Sequence, residues 1–207
     1  MPALTFMRAE KKHAADLAAL CDIASHGRNA TFWQRAVDQG QSTSVFEIGR
    51  QGMLISGHDL SLEHASVALV GDEVVGAVLG QARSKDYGDS IDFDQFGAEM
   101  HNELELKALT GGTWYLAVLA VYREYQRFGY GQQLMKEAAK RARASKQRKM
   151  TLIVAQSNEP AVKLYTRMGF RVVETRPAGP VNVSTGPTDS TASAEDNWCL
   201  MRRVLTP

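Results

Sequence analysis

The sequence predicts one α/β domain built on a mixed sheet, and three observations carry that expectation. Two continuous apolar runs, Trp114 to Tyr122 (WYLAVLAVY) and Lys149 to Ala155 (KMTLIVA), read as buried strands. Each is followed by an amphipathic helix. The first of these helices is opened by two glycines, in YQRFGYGQQLM from Tyr125 to Met135.

In chain order, Leu4 to Ala9 is a short β-type run that leads into a helix from Lys11 to about Ile23, where Ala14, Leu17, Leu20, Cys21 and Ala24 keep helical spacing. Asn29 stands where it would cap a second helix carrying Phe32, Trp33, Ala36 and Val37. Val45 to Ile55 is a third, weaker helical stretch. Ser66 to Leu79 reads as a hairpin around Gly71-Asp72-Glu73, with β-branched flanks. The connection from Gln81 to Gly112 is long for a link between strands and is read as a helical insert over about 83–112, with its helix from Phe93 to Leu109. Tyr130 to Ser145 buries Leu134, Met135, Ala138, Ala139 and Ala142 and wets Lys136, Lys140, Arg141 and Arg143. Pro160 to Met168 is a helix begun by proline and stopped by Gly169, with Ala161, Leu164, Tyr165 and Met168 on one stripe. Leu164 and Phe170 are expected in the core. Phe170 to Thr175 and Trp198 to Val204 close as strands around a Pro-, Gly-, Ser- and Thr-rich loop at 176–197.

Composition narrows the function. A net charge of +1 with 23% charged residues gives no reason to expect a nucleic-acid partner. Cys21 and Cys199 have no ligand spacing to each other or to the five histidines, so they read as reduced, packed thiols and no metal is expected. The absence of a signal-like start or a long apolar span points to a cytoplasmic protein with no membrane partner.

Glycines opening a helix after a buried strand are suited to an anion. Free amides and the positive end of the helix dipole favour negative charge by about 0.3–2 kcal/mol, and the missing side chains of Gly129 and Gly131 allow close approach. Taken alone, the pattern leaves a ligand-free helix start as plausible as a phosphate site. Two phosphate motifs fit poorly. A Walker loop needs Lys and then Ser or Thr where Gln132 and Gln133 stand, and a dinucleotide fingerprint needs a third glycine and a later acid that are missing.

One strand further on, Asn158 to Phe170 reads NEPAVKLYTRMGF. Together with LAVYREYQRFGYG (Leu119 to Gly131), this resembles the GNAT superfamily of N-acetyltransferases, with both motifs in the family's order and spacing over about 114–175. The resemblance implies a single N-acetyltransferase domain over 1–207, with a mixed, mainly antiparallel sheet flanked by helices, and acetyl-CoA as co-substrate. It further implies that the main chain of Leu119, Ala120 and Val121 bonds the pantetheine arm. Gln126 and the amides of Arg127, Phe128, Gly129, Tyr130, Gly131 and Gln132 would hold the pyrophosphate. Asn158 would contact the CoA arm, and from its place before a helix it also reads as a cap. Tyr165 would point its hydroxyl at the CoA sulfur. A thiol near 8.5 is more acidic than a phenol near 10, so a hydrogen bond that strengthens as thiolate charge develops is expected in place of full proton transfer.

The general base is less legible. Where some family members place Glu early in the central strand, this chain has Trp114-Tyr115-Leu116, and Tyr115 is no strong base at neutral pH. Glu103 and Glu105 on the inserted helix are the catalytic candidates, with Asp92 and Asp94 before it. From Asp86 to Leu106 there are seven acids and no Lys or Arg, a bias that would steer a cationic acceptor. The expected activity is acetyl transfer to a primary amine of a small molecule or peptide, by direct attack in a ternary complex. A non-catalytic acyl-CoA-binding or regulatory module is the alternative. The C-terminal strand reads as a pairing edge through which a homodimer could form.

Overall fold

The computed structural model describes residues 4–178 and 196–206. In chain order the elements are β1 (Leu4–Arg8), α1 (Ala14–Ala24), α2 (Arg28–Asp38), α3 (Val45–Gly52), β2 (Ala65–Val70), β3 (Glu73–Ala82), α4 (Ala98–Ala108), β4 (Trp114–Val121), α5 (Tyr130–Ala144), β5 (Lys149–Ala155), α6 (Glu159–Arg167), β6 (Arg171–Pro177) and β7 (Asn197–Val204). The strands form a mainly antiparallel seven-stranded sheet in the order β1-β2-β3-β4-β5-β7-β6. The β1–β2, β2–β3, β5–β7 and β6–β7 ladders are all antiparallel. The chain divides into two compact units, Met1–Gln81 with Leu116–Lys140, and Ala82–Tyr115 with Arg141–Pro207.

In the first unit, the apolar stripe of α1 (Ala14, Leu17, Ala18, Cys21) packs on Val67, Ala77, Leu79, Val118 and Ala120 of the strands. The stretch before it, Lys11–His13, is a 3-10 turn and not the helix the spacing predicts; there the Glu10 N–H donates to His13 Nδ1 at 3.0 Å. Asn29 does not cap α2. The helix starts after Gly27, which is left-handed at φ 84°, and its first amides are taken by the preceding turn. The Asn29 N–H donates to Ser25 Oγ (3.0 Å) and the Ala30 N–H to Asp22 Oδ1 (2.8 Å), while Asn29 Nδ2 donates to the Cys21 carbonyl (2.9 Å). The α2–α3 pair closes where Gly49 faces Trp33, since a Cβ there would lie 2.7 Å from the indole.

The β2–β3 hairpin turns at Gly71-Asp72, as its Gly-Asp pair predicts, and its register shifts between Ala68 and Leu69. Gly76 lies in the neighbouring run of β3. A Cβ at Gly76 would meet the Ala120 carbonyl at 2.6 Å, so the glycine is what lets β3 and β4 approach.

In the second unit, α4 packs over β5, β7 and β6 and buries Leu104 and Leu106. It is shorter than the Phe93–Leu109 stretch expected, because Phe93–Gln95 forms a separate 3-10 turn capped by Asp92. The insert closes on itself. Gly112 N–H donates to Ser84 O and Arg83 N–H to Thr113 O, each at 2.9 Å. Gly88 and Gly111 admit the Ala108 and Lys85 carbonyls to within 2.8 and 2.6 Å of where a Cβ would stand. Thr113 and Thr151 share a buried hydroxyl hydrogen bond of 2.6 Å. The C-terminal strand β7 is not an edge: it lies between β5 and β6, and the edges are β1 and β6. It was the last strand in the chain but not in the sheet. Of the loop expected at 176–197, residues 179–195 lie outside those described.

Candidate functional site

The expected site residues fall on both units. In the first, β4 ends at Val121 and a 3-10 turn at Arg123–Tyr125 leads to the glycine loop. Two side chains fix this turn. Tyr122 donates its hydroxyl to Asp16 Oδ1 of α1 at 3.0 Å, and Tyr125 donates to Glu73 Oε2 at the hairpin at 2.6 Å. Burial, the Asp16 charge and that hydrogen bond raise the Tyr122 hydroxyl pKa, while the hydrogen bond to Glu73 is the main cause raising that of Tyr125. Gln126 turns back and donates from Nε2 to the Val121 carbonyl at 3.0 Å. It thus closes the loop, and of the three main-chain segments expected to face pantetheine, the Val121 carbonyl already accepts one bond.

Arg127 (φ 66°) and Gly129 (φ 79°) are both left-handed, with Phe128 between them. A non-glycine residue in that region costs roughly 1–2 kcal/mol and is retained where the surrounding structure demands it. Alternating backbone of this kind turns successive N–H groups toward one side, a concavity suited to an anion. Gly129 has open space where a Cβ would stand and no side chain to cap α5. The amides of Tyr130, Gly131 and Gln132 begin the helix without partners in it, with the positive dipole end behind them. Tyr130 is buried and holds the helix start down, its ring 6.1 Å from that of the exposed Phe128. Behind the loop, Leu134, Met135, Ala138, Ala139 and Ala142 are buried as the periodicity predicts. Near the same turn lies a cleft of about 450 Å³ lined by Lys12, His13, Asp16, Glu73, Tyr122 and Glu124. Its carboxylates make it unfit for a pyrophosphate.

In the second unit, Asn158 caps α6, its Oδ1 accepting from Ala161 N–H at 3.3 Å, with Pro160 in the first turn. Tyr165 is the one buried residue of that helix. Leu164, expected in the core, is only half-buried. The Tyr165 ring sits 6.0 Å from that of Phe170, and burial, then the nearby Tyr115, push its hydroxyl to about 12. Handing its proton to a thiolate of pKa ~8.5 would be uphill by roughly 5 kcal/mol, so the phenol is built to donate a hydrogen bond.

Both carboxylate candidates on α4 are engaged. Glu103 is 3.3 Å from Lys107 Nζ, and Glu105 accepts from Arg176 Nε at 2.7 Å. Arg176 also binds Glu174 at 2.6 Å. Asp86, Asp89, Asp92 and Asp94 are exposed.

The sequence reading missed the surroundings of Tyr115. Arg83 is 4% exposed, and its guanidinium carbon lies 3.8 Å from the Tyr87 ring centroid and 3.7 Å from that of Tyr115. Nη1 donates to Thr110 Oγ1 at 2.6 Å. No periodicity signals a cation between residues 83, 87 and 115. Among the described residues no cluster of His, Cys, Asp and Glu could hold a metal, and no helix is long and apolar enough to cross a membrane.

Comparison with known proteins agrees with the fold. No curated protein matches the chain by sequence. Among solved structures, the fold is similar to that of an acetyltransferase at 17% identity, covering 98% of this chain and all of the other, with a TM-score of 0.64. It is similar to an N-acetyltransferase from Staphylococcus aureus Mu50 at 14% identity, covering 96% and 99%, with a TM-score of 0.59. It is also similar to a chain of the NatC complex bound to Gag peptide and CoA, at 14% identity, covering 98% and 99%, with a TM-score of 0.55. At these identities the likeness is one of fold. The sequence profile of the acetyltransferase (GNAT) family matches residues 30–170, about two thirds of the chain. The chain belongs to the acetyltransferase (GNAT) family.

Proposed function

We propose that the protein transfers the acetyl group of acetyl-CoA to a primary amine by direct attack in a ternary complex. The observation that carries this reading is the left-handed Arg127–Gly129 turn, open above Gly129, at the start of α5. The amides of Arg127 to Gln132 hold the pyrophosphate there, while Gln126 acts mainly by tying the loop to Val121. The main chain of Leu119 to Val121 receives the pantetheine arm as an added strand would and polarises the thioester carbonyl. Asn158 caps α6 and contacts the arm. Tyr165 donates to the departing sulfur as its charge grows. Membership of the family, and the CoA bound to the NatC complex that contains a chain of similar fold, support the choice of co-substrate.

The thiols support direct attack over an acyl-enzyme. Cys21 is buried and its pKa is pushed to about 12 by desolvation and by Asp22, and that of Cys199 is also raised, chiefly by burial. Neither offers a thiolate at neutral pH. An alkylammonium acceptor near 10.4 must lose a proton before attack, at a cost of about 4.6 kcal/mol at pH 7. Glu103 and Glu105 remain the proposed carriers of that proton, each at the expense of an ion pair, with water as the alternative route. The exposed acids of the insert favour a cationic amine by steering. Replacing Asp89, Asp92 and Asp94 by Asn should weaken use of a cationic amine at low salt and leave a neutral one unaffected; unchanged use of the cationic amine would remove the steering idea.

Calorimetry with acetyl-CoA, NAD and ATP tests the donor, and CoA release with polyamines, aminoglycosides, amino acids and peptides tests the transfer. Tight acetyl-CoA binding without turnover on any amine, and with no effect of Tyr165→Phe, would identify an acyl-CoA-binding module instead.

A further inference from the structure

In the first unit, the segment that joins β4 to α5 is not held by packing. Val121 and Tyr130 are buried, but none of residues 122–129 between them is. The Tyr122 N–H donates to the Val75 carbonyl at 3.0 Å, and from there to Gln126 the main-chain bonds are local, Tyr125 N–H to Tyr122 O and Gln126 N–H to Arg123 O. The Gln126 side chain likewise bonds back to Val121. Yet this segment carries the left-handed Arg127, a conformation that persists where its surroundings over-determine it. Hydrogen bonds to other elements must therefore fix its place.

Among the described residues, two side-chain bonds reach from the segment to such elements. Tyr122 donates to Asp16 Oδ1 on α1 at 3.0 Å, and Tyr125 donates to Glu73 Oε2 on the first residue of β3 at 2.6 Å. Both supports are anchored in the core, α1 through Leu17 and Cys21 and β3 through Val75 and Ala77. Tyr122 and both acceptors line the cleft of about 450 Å³, so this side of the segment faces open space. A hydrogen bond to an ionised carboxylate is shorter and stronger than one to a neutral acceptor. The negative charge has the wrong sign for touching a pyrophosphate, so these carboxylates can serve the donor site only through the phenols they hold.

We propose that Asp16 and Glu73 are positioning residues of the donor site: through Tyr122 and Tyr125 they hold the Arg127–Gly129 turn in its anion-binding shape and so set the affinity for acetyl-CoA. A turn already held in that shape need not be ordered when the ligand arrives, and the ordering cost it avoids appears as tighter binding. The two tethers come from different elements and grip the segment at positions three residues apart, which fixes its direction as well as its place. Their effect falls on binding of the donor and not on the transfer step, because neither acts on the reacting atoms.

The inference rests on the acetyl-transfer reading above, with the pyrophosphate over this turn. Its test is calorimetry of the full chain with acetyl-CoA, together with thermal melts and steady-state kinetics, on Tyr122→Phe, Tyr125→Phe, Asp16→Ala, Asp16→Asn, Glu73→Ala and Glu73→Gln. The phenylalanine variants keep both rings and should fold. Each should weaken acetyl-CoA binding about 3- to 10-fold, with the larger loss at Tyr122, whose bond is part-buried. Glu73→Ala should match Tyr125→Phe, and the two together should lose no more than either alone, as expected of one contact. Asp16→Ala and Tyr122→Phe should behave alike. Glu73→Gln and Asp16→Asn keep an acceptor and should hold the affinity within about twofold of the parent, and kcat at saturating acetyl-CoA should stay within about twofold throughout. Unchanged affinity in both phenylalanine variants, even with a lowered Tm, overturns the inference, as do losses that multiply within a pair or that the amide variants share. Gly129→Ala run beside them reads the placement itself: affinity lost there but kept in the tether variants overturns this inference alone. A parent protein that neither binds acetyl-CoA nor transfers its acetyl group overturns both.

Discussion

Replacing Gly129 by alanine separates the fold from the donor site. The residue is left-handed at φ 79° with open space where the Cβ would stand, so alanine meets no steric clash in the free protein. The cost is the backbone's alone, roughly 1–2 kcal/mol, and Arg127 two positions earlier already bears the same conformation. In a chain of this size, each kcal/mol lowers Tm by about 2–4 °C. The space that alanine fills is the one a phosphate would enter. Displacing it forfeits at least one charge-assisted main-chain hydrogen bond, worth about 1.5–3 kcal/mol, or roughly 10- to 150-fold in affinity. Calorimetry with acetyl-CoA, paired with thermal melts with and without it, reads both effects. The account expects a few degrees lost in the free protein and a much larger loss of the shift given by the ligand. An acetyl-CoA affinity within twofold of the parent, alongside the lowered Tm, would refute the placement of the pyrophosphate over this turn.

Three other outcomes follow from the packing and the titrations. Gly76→Ala drives a Cβ into the Ala120 carbonyl, 2.6 Å away, and into Val121 Cα at 3.3 Å. It should destabilise by about 1–3 kcal/mol in chemical denaturation, with acetyl-CoA binding weakened because β4 is displaced. Tyr165, with its hydroxyl raised to about 12 in the fold from 10 unfolded, binds a proton longer in the native state. Its contribution is complete below pH 10 and lost as pH rises toward 12, roughly 3 kcal/mol in all. Tyr165→Phe should therefore flatten the alkaline fall in stability measured by urea melts at pH 9, 10 and 11, while kcat drops more than affinity. Asn158→Ala removes the cap of α6. It should cost about 0.5–2 kcal/mol, and a loss of acetyl-CoA affinity that persists in Asn158→Ser, which restores the cap, would mark the ligand role.

The catalytic half of the fold was legible because its signals are local. The apolar runs of β4 and β5, the glycines opening α5 and the Pro160…Gly169 punctuation of α6 each fix an element within a few residues, and the structure has them at Trp114–Val121, Lys149–Ala155, Tyr130–Ala144 and Glu159–Arg167. What depends on distant partners was not. Asn29 looks like a cap until Asp22 and Ser25 take the amides first. The C-terminal strand looks like an edge until β6, earlier in sequence, is found outside it. At the site, the place of Gln126 in a motif does not show that its Nε2 bonds the Val121 carbonyl beside the left-handed Arg127. The ion pair of Glu105 with Arg176 and the stacking of Arg83 on Tyr115 join residues up to 71 apart, beyond the reach of any periodicity, whereas the Glu103–Lys107 pair is an i,i+4 contact that helical spacing allows.

The most direct test of the account is CoA release from acetyl-CoA, followed with a thiol reagent across the amine panel, with mass spectrometry of the amine after reaction. The account predicts CoA release that depends on the amine and matches, one for one, an acetylated amine, slowed in Tyr165→Phe. Thiol release that is the same with and without every amine, with no acetylated product, would contradict it.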